Sequence, residues 1–320
     1  MYYLIFTGGE ENELFDDMFA DLRERENMRC IPDVPQVAGA LRPLYRLHHA
    51  RSLNRKRPLP FRGIWSDRRL SELVAREAKE HPELTLFFNN FSISHFEPSQ
   101  LAALQKRYGC RLWLCYIDRM SSYCAEVARM YESRLHFDRV LSYYRADAER
   151  HGKEYFDCYY SRPLLPEAGK RCELYFWGSD TGRRPMLEQV YRHVTGLGHD
   201  CRMGICYAQG DGERLKGISY DEPKTYPEVL RDVAGAEILL DLICGEGGVS
   251  LRYYEAVVFG KKLISNNPEI RRMRLYDPES MLLIEKPEDI TEEFLAKKIT
   301  PRPYNDEFSP LGLFPPGERG

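Results

Sequence analysis

Apolar runs and amphipathic stretches alternate along the chain, and the alternation runs twice. In the first half YYLIF (2–6) and LTLFFNN (84–90) have the length of strands. The second is apolar enough throughout to be buried on both faces. A helical periodicity starts at Pro98, continues to Tyr108 and stops at Gly109, with proline near the start and glycine past the end. RLWLCYI (111–117) predicts a third strand, Ser122 to Arg134 a helix, and FDRVLSYY (137–144) a fourth strand. Residues 15–80 are rich in charge and show no clear period.

The stretch YYSRPLLPEAGKR (159–171) carries two prolines and reads as a connection between domains. Beyond it the rhythm restarts. CELYFWG (172–178), CRMGICY (201–207), AEILLDLI (236–243) and KKLISN (261–266) predict strands. Pro185 to Thr195, Pro227 to Ala234 and Leu251 to Phe259 predict helices, and MLLIE (281–285) and TEEFLAKKI (291–299) complete the series. Strands alternating with helices argue parallel sheets covered by helices. The expected organisation is an α/β chain with an amino-terminal domain over 1–160, a linker over 161–171, a carboxyl-terminal domain over 172–300 and an irregular tail over 301–320.

Composition agrees with two cores. At 320 residues, 43% hydrophobic and 30% charged, the chain has material for two globular domains of about 150 residues each. It holds no run of eighteen apolar residues, and MYYLIFTGGEE lacks the basic and small-residue features of a signal peptide. A cytoplasmic location is therefore expected. Nine cysteines, none spaced C-x-x-C and most in apolar runs, read as small core hydrophobes and not as a disulfide framework or zinc site.

Charge adds one asymmetry. Residues 41–69 hold nine Arg or Lys against one acid, Asp67, a local charge of +8 in a chain of net charge −3. Such a segment is either a solvated loop or a surface that meets anions: an anionic glycan, a lipid-linked acceptor, or the inner face of a membrane in peripheral contact. No nucleic-acid recognition motif accompanies it, so nucleic acid is not expected as a partner.

Two loops carry the candidate chemistry. Gly178-Ser179-Asp180-Thr181-Gly182-Arg183-Arg184 lies between a strand and a helix; small residues let main-chain N–H groups approach an anion, and arginine adds bidentate donors. Gly245-Glu246-Gly247-Gly248-Val249-Ser250-Leu251-Arg252 joins a buried strand to another helix, with Ser250 placed as its N-cap. Arg252 then sits in a first helical turn, where the dipole disfavours a cation unless both face an anion such as a diphosphate. Glu255 follows one turn later, placed to accept hydrogen bonds from ribose hydroxyls. The candidate donor-binding residues are Gly178, Ser179, Arg183, Gly247, Gly248, Ser250, Arg252 and Glu255.

The run GEGGVSLRYYEAVVFGKKLISNN (245–267) resembles the donor-site region of GT-B-type glycosyltransferases from lipopolysaccharide and capsular polysaccharide biosynthesis clusters. Arg252, Glu255, Gly260, Lys262 and Asn267 match their pattern, while Glu246 stands where they carry glutamine. The resemblance extends to LYFWGSDTGRR and to FDRVLSYYRADAERHG (137–152). It implies two Rossmann-like domains with parallel sheets facing a central cleft, and transfer of a sugar from a nucleotide-sugar donor to a cell-surface glycan or glycolipid.

No Asp-x-Asp occurs, so no metal cofactor is expected; helix N-termini with Arg183 and Arg252 would stabilise the leaving diphosphate. The general base is expected from the first domain, with Asp118, after RLWLCYI, and Glu10, after the first strand, as candidates. The histidines show no metal spacing, and His48 and His49 would face apart on a helix. Two rival functions remain at this point: a non-catalytic nucleotide-sugar-binding or scaffold protein of the same fold, and a nucleotide-sugar epimerase.

Overall fold

The computed structural model describes residues 1–7, 13–23, 25–31, 37, 39–50, 53, 59–65, 67–164, 167–209, 212–220, 223–245 and 247–318. Two compact units divide the chain: Met1–Ser161 with Glu307–Gly320, and Arg162–Asp306.

In the first unit the strands are β1 (Tyr2–Phe6), β2 (Met28–Ile31), β3 (Leu84–Asn89), β4 (Arg111–Tyr116), β5 (Arg139–Ser142) and β6 (Glu154–Tyr155), with helices α1 (Glu13–Met18), α2 (Arg42–His49), α3 (Asp67–Glu80), α4 (Pro98–Tyr108), α5 (Tyr123–Glu132) and α6 (Arg145–His151). They form one parallel sheet in the order β2-β1-β3-β4-β5-β6. Every residue of β3 is buried, as its unbroken apolar run requires in a sheet covered on both faces. Helix α4 opens at Pro98 and ends on Gly109, whose φ of 66° is the left-handed cap that glycine adopts without a Cβ clash. Ser122 caps α5 by accepting from the Ala125 N–H at 3.3 Å. The charged region 15–80, unassigned by pattern, contributes β2, α2 and α3; β2 is only four residues long with Met28 alone fully buried, too short to carry a period.

The second unit holds β7 (Cys172–Ser179), β8 (Cys201–Cys206), β9 (Ile218–Ser219), β10 (Ala236–Asp241), β11 (Lys262–Ser265) and β12 (Met281–Leu283), with α7 (Arg184–Gly196), α8 (Tyr226–Gly235), α9 (Leu251–Val258) and α10 (Glu292–Ala296). Its parallel sheet runs β12-β11-β10-β7-β8-β9. Leu174, Phe176, Ile238, Leu240 and Ile264 face a core closed by Leu187 and Val190 of α7.

The carboxyl-terminal residues divide between the units. Through Asp306 they belong to the second; from Glu307 they belong to the first. Phe314 packs edge-on against Tyr3 at 4.7 Å and near-parallel to Trp113 at 5.7 Å. Phe308 and Phe314 are fully buried, each contributing on the order of 2–3 kcal/mol of apolar burial to the first unit. None of the described helices is long and apolar enough to cross a membrane.

Candidate functional site

In the second sheet the chain proceeds from β7 to β8 and β9 on one side, then builds β10, β11 and β12 on the other. Neighbouring parallel strands whose connections depart in opposite directions leave a crevice beyond their carboxyl ends, where open α/β sheets take ligands. Strands β7 and β10 are that pair. The two glycine-rich loops singled out by composition leave these two strands.

The loops meet. Arg183 donates through Nη1 to the Leu242 carbonyl at 2.8 Å, and a Cβ added to Gly182 would lie 3.3 Å from Cys244 Sγ. Arg252 donates through Nη2 to the Trp177 carbonyl. Both guanidinium groups lie over the Phe176 ring, Arg252 at 4.7 Å and Arg183 at 5.3 Å from its centre, so one aromatic ring serves two cations. Burial, and then the like charge of Arg252, lower the pKa of Arg183; an arginine stays charged all the same. Gly178 leaves room for Arg252: a Cβ there would stand 3.0 Å from its Nη2 and crowd it.

The two arginines are used differently. Arg183 spends Nε and Nη2 on the Ser179 carbonyl at 3.2 and 2.6 Å, besides its bond to Leu242. Its neighbour Arg184 turns away to Glu188 at 2.7 Å and to the carbonyls of Gln209, Gly212 and Glu213. Several N–H groups of the first loop are also occupied. Asp180 Oδ1 accepts from the N–H of Gly182 at 3.1 Å and of Arg184 at 3.0 Å, and Oδ2 from Gln209 at 2.9 Å. Burial works to raise its pKa, but these three main-chain donors outweigh it and hold the carboxyl below the usual range. Composition marked this turn as an anion cradle; the chain's own carboxylate fills it.

The second loop is built differently. Ser250 caps α9, its hydroxyl accepting from the Arg252 N–H at 3.2 Å and donating to buried Asp241 at 2.7 Å. Beyond β11, Asn266 pairs with the main chain of Ile243 through both side-chain atoms, at 2.7 and 3.0 Å. Asn267 donates to the carbonyls of Gly247 and Gly248 at 3.5 and 3.1 Å. Carbonyls of the glycine turn are thus tied back toward β11. Glu246 lies outside the described residues.

Glu255 is 2% exposed. Its pKa is raised to about 7 by desolvation, against the opposing pull of Arg252 and a hydrogen bond from Tyr226, with Asp241 adding to the rise. Lys262, matched by the resemblance, is buried at the start of β11 and donates to the carbonyls of Phe294, Leu295 and Lys297 at 2.7–2.9 Å, closing the carboxyl end of α10. Lys261 donates to the Ala234 carbonyl at 3.0 Å in the last turn of α8. Both lysines therefore serve helix ends.

In the first sheet the corresponding reversal lies between β1 and β3. Asp118 follows β4, one strand farther out, and accepts from the Arg119 N–H at 2.8 Å. Glu10 lies outside the described residues. The reading of the sequence missed a group beyond β3: the Tyr45 hydroxyl lies 2.9 Å from His95 Nδ1, and the His49 ring stacks on His95 at 5.0 Å. His48 accepts from Trp65 Nε1 at 2.7 Å, and its ring meets that of His49 edge-on at 5.8 Å, so the two do not face apart as the helical spacing suggested. Tyr45 and His49 at helical spacing were the available signal; their partner is 46 or more residues away in sequence and only folding names it. Among the described residues, Glu77, Glu80 and His81 have ligand atoms within 4.8 Å of one another, but Glu77 is already paired with Arg29 and Arg76 at 2.9 and 2.8 Å.

No family model matches the chain, and no curated protein sequence matches it. Among solved structures it is similar to HepE of Anabaena in complex with UDP-glucose, at 11% identity over 90% of this chain and 86% of that one, with a TM-score of 0.50. It is also similar to the UDP-GlcNAc 2-epimerase of Methanocaldococcus jannaschii (11% identity, 97% and 96% covered, TM-score 0.48) and to the spinosyn forosaminyltransferase SpnP (14% identity, 92% and 88% covered, TM-score 0.43). The fold is that of the GT-B class: two Rossmann-like α/β units, each with a parallel six-stranded sheet.

Proposed function

We propose that the protein is a glycosyltransferase that binds a nucleotide-sugar donor in its second unit. The observation that carries the reading is the meeting of two glycine-rich loops at the reversal between β7 and β10, with Arg252 in the first turn of α9. That N-terminus and that guanidinium form a seat for a diphosphate. The crystal structure of HepE with UDP-glucose supports the same ligand class. The leaving nucleoside diphosphate is stabilised by these groups without a metal. The acceptor is an anionic or lipid-linked cell-surface glycan met by the basic segment 41–69. The proton acceptor is drawn from Asp118, Glu10 and His95.

Calorimetry with UDP, GDP and CDP tests donor binding, and incubation with the matching nucleotide sugars tests transfer. Binding with transfer of the sugar to an acceptor and release of the free nucleoside diphosphate supports transfer. Binding with inversion of a sugar centre and no release establishes the epimerase instead, and binding with neither establishes a binding protein. Asp118→Asn and His95→Gln, compared in kcat with unchanged nucleotide affinity, identify the proton acceptor.

A further inference from the structure

Nine large hydrophobic side chains are exposed among the described residues, and six of them fall between Leu41 and Ile64. Leu44 and Leu47 on α2 are 54% and 58% exposed, Leu41 just before it 50%, Leu53 49%, and Phe61 and Ile64 73% and 67%. Scattered singly, exposed apolar residues need no explanation; gathered in one short stretch they mark an interaction surface. The helix itself is not loosely held. Tyr45, 8% exposed, contacts His95 and packs edge-on to Trp65 at 5.7 Å, so one face of α2 is seated and the leucines are left outward.

The same stretch carries the chain's basic excess. Arg42 and Arg46 are exposed on α2, as are Arg68 and Arg69 in the first turn of α3, and over 41–69 nine basic residues meet one acid. A surface that is both apolar and cationic restricts what covers it. A second copy presenting the same face would set Arg42, Arg46 and Arg69 against their own like charges. An acidic glycan satisfies the arginines and leaves the leucines in water. A bilayer with anionic headgroups satisfies both, with guanidinium groups at the phosphates and leucines at the acyl boundary.

We propose that α2 and the adjoining 59–65 segment form an interfacial anchor that inserts Leu44, Leu47, Phe61 and Ile64 into an anionic phospholipid surface. The proposal rests on the anion-facing reading of segment 41–69 and not on the donor site. Sedimentation with vesicles of phosphatidylcholine alone, and of phosphatidylcholine mixed with phosphatidylglycerol, tests it at about 0.01 M and 0.15 M salt, where the Debye length is about 30 and 8 Å. The full chain is expected to bind the mixed vesicles at both salt levels and the neutral ones weakly or not at all. Leu44→Ser with Leu47→Ser should lower binding at the higher salt by about tenfold or more, while keeping a salt-sensitive part at the lower. Arg42→Glu with Arg46→Glu should abolish the preference for the anionic vesicles. UDP affinity, measured on each variant, should stay unchanged, which separates failure of this proposal from failure of the donor site. Equal binding to both vesicles, no binding to either, or leucine substitution without effect would overturn it. So would a concentration-dependent dimer that the leucine substitutions dissolve.

Discussion

Arg252, in the first turn of α9, hydrogen-bonds the carbonyl of Trp177 near the end of β7, 75 residues away in sequence. The bond ties the two loops of the candidate donor site and fixes a cation at a helix end where the dipole opposes it. Among the described residues this is the one hydrogen bond of its guanidinium, which leaves other donors of the fork without a hydrogen bond. Arg252→Ala should weaken binding of the preferred nucleoside diphosphate by about 2–4 kcal/mol, as expected for lost charge-assisted bonds. Arg252→Lys should recover only part, because a point charge lacks the planar fork. Calorimetry on variants shown to be folded decides this, and unchanged affinity removes Arg252 from the site.

Glu255 gives the site a pH dependence. Its folded pKa is about 7 against an ordinary 4.5, raised by burial, so the folded state holds the proton more tightly than the unfolded chain. Stability from this group is complete below about pH 4.5 and is lost as the pH rises to about 7. The loss is roughly 3 kcal/mol. Deprotonation also sets a negative charge beside Arg252, so diphosphate affinity should fall through the same upper range. Glu255→Gln should flatten both profiles in denaturation and calorimetry. A pH profile identical to that of the parent protein would remove Glu255 from either role.

Lys262 separates support from binding. It matches the glycosyltransferase pattern in sequence, yet its ammonium closes the end of α10 on three carbonyls. Lys262→Met should cost about 2–4 kcal/mol of stability by leaving buried carbonyls unpaired, and should leave UDP affinity within twofold in the remaining folded protein. A large loss of affinity with intact stability would return Lys262 to the donor site.

The proposed diphosphate seat makes a prediction about metal dependence. With arginine and a helix N-terminus in place of paired aspartates, transfer should persist in EDTA. Complete loss in EDTA, restored by magnesium or manganese, would show that a divalent ion shares the diphosphate.

The alternation of apolar runs was enough to read two parallel α/β units, because strands buried on both faces must be apolar throughout and the helices between them must be amphipathic. It also located both loops, since a strand-to-helix turn of small residues is a local pattern. The short strands β2, β6 and β9 were not legible, because two to four half-exposed residues carry no period. Nor could local pattern show how the loops are used. Only the sheet order puts the ends of β7 and β10 side by side. Only packing turns Asp180 back onto its own helix N-terminus, buries Glu255, sends Lys262 to a helix end, and sets Tyr45 and His49 against His95. Sequence determines which residues are available and what each segment prefers locally. Tertiary structure decides which donors are already satisfied and which are left for a ligand, because hydrogen bonds and burial are settled between segments far apart in the chain.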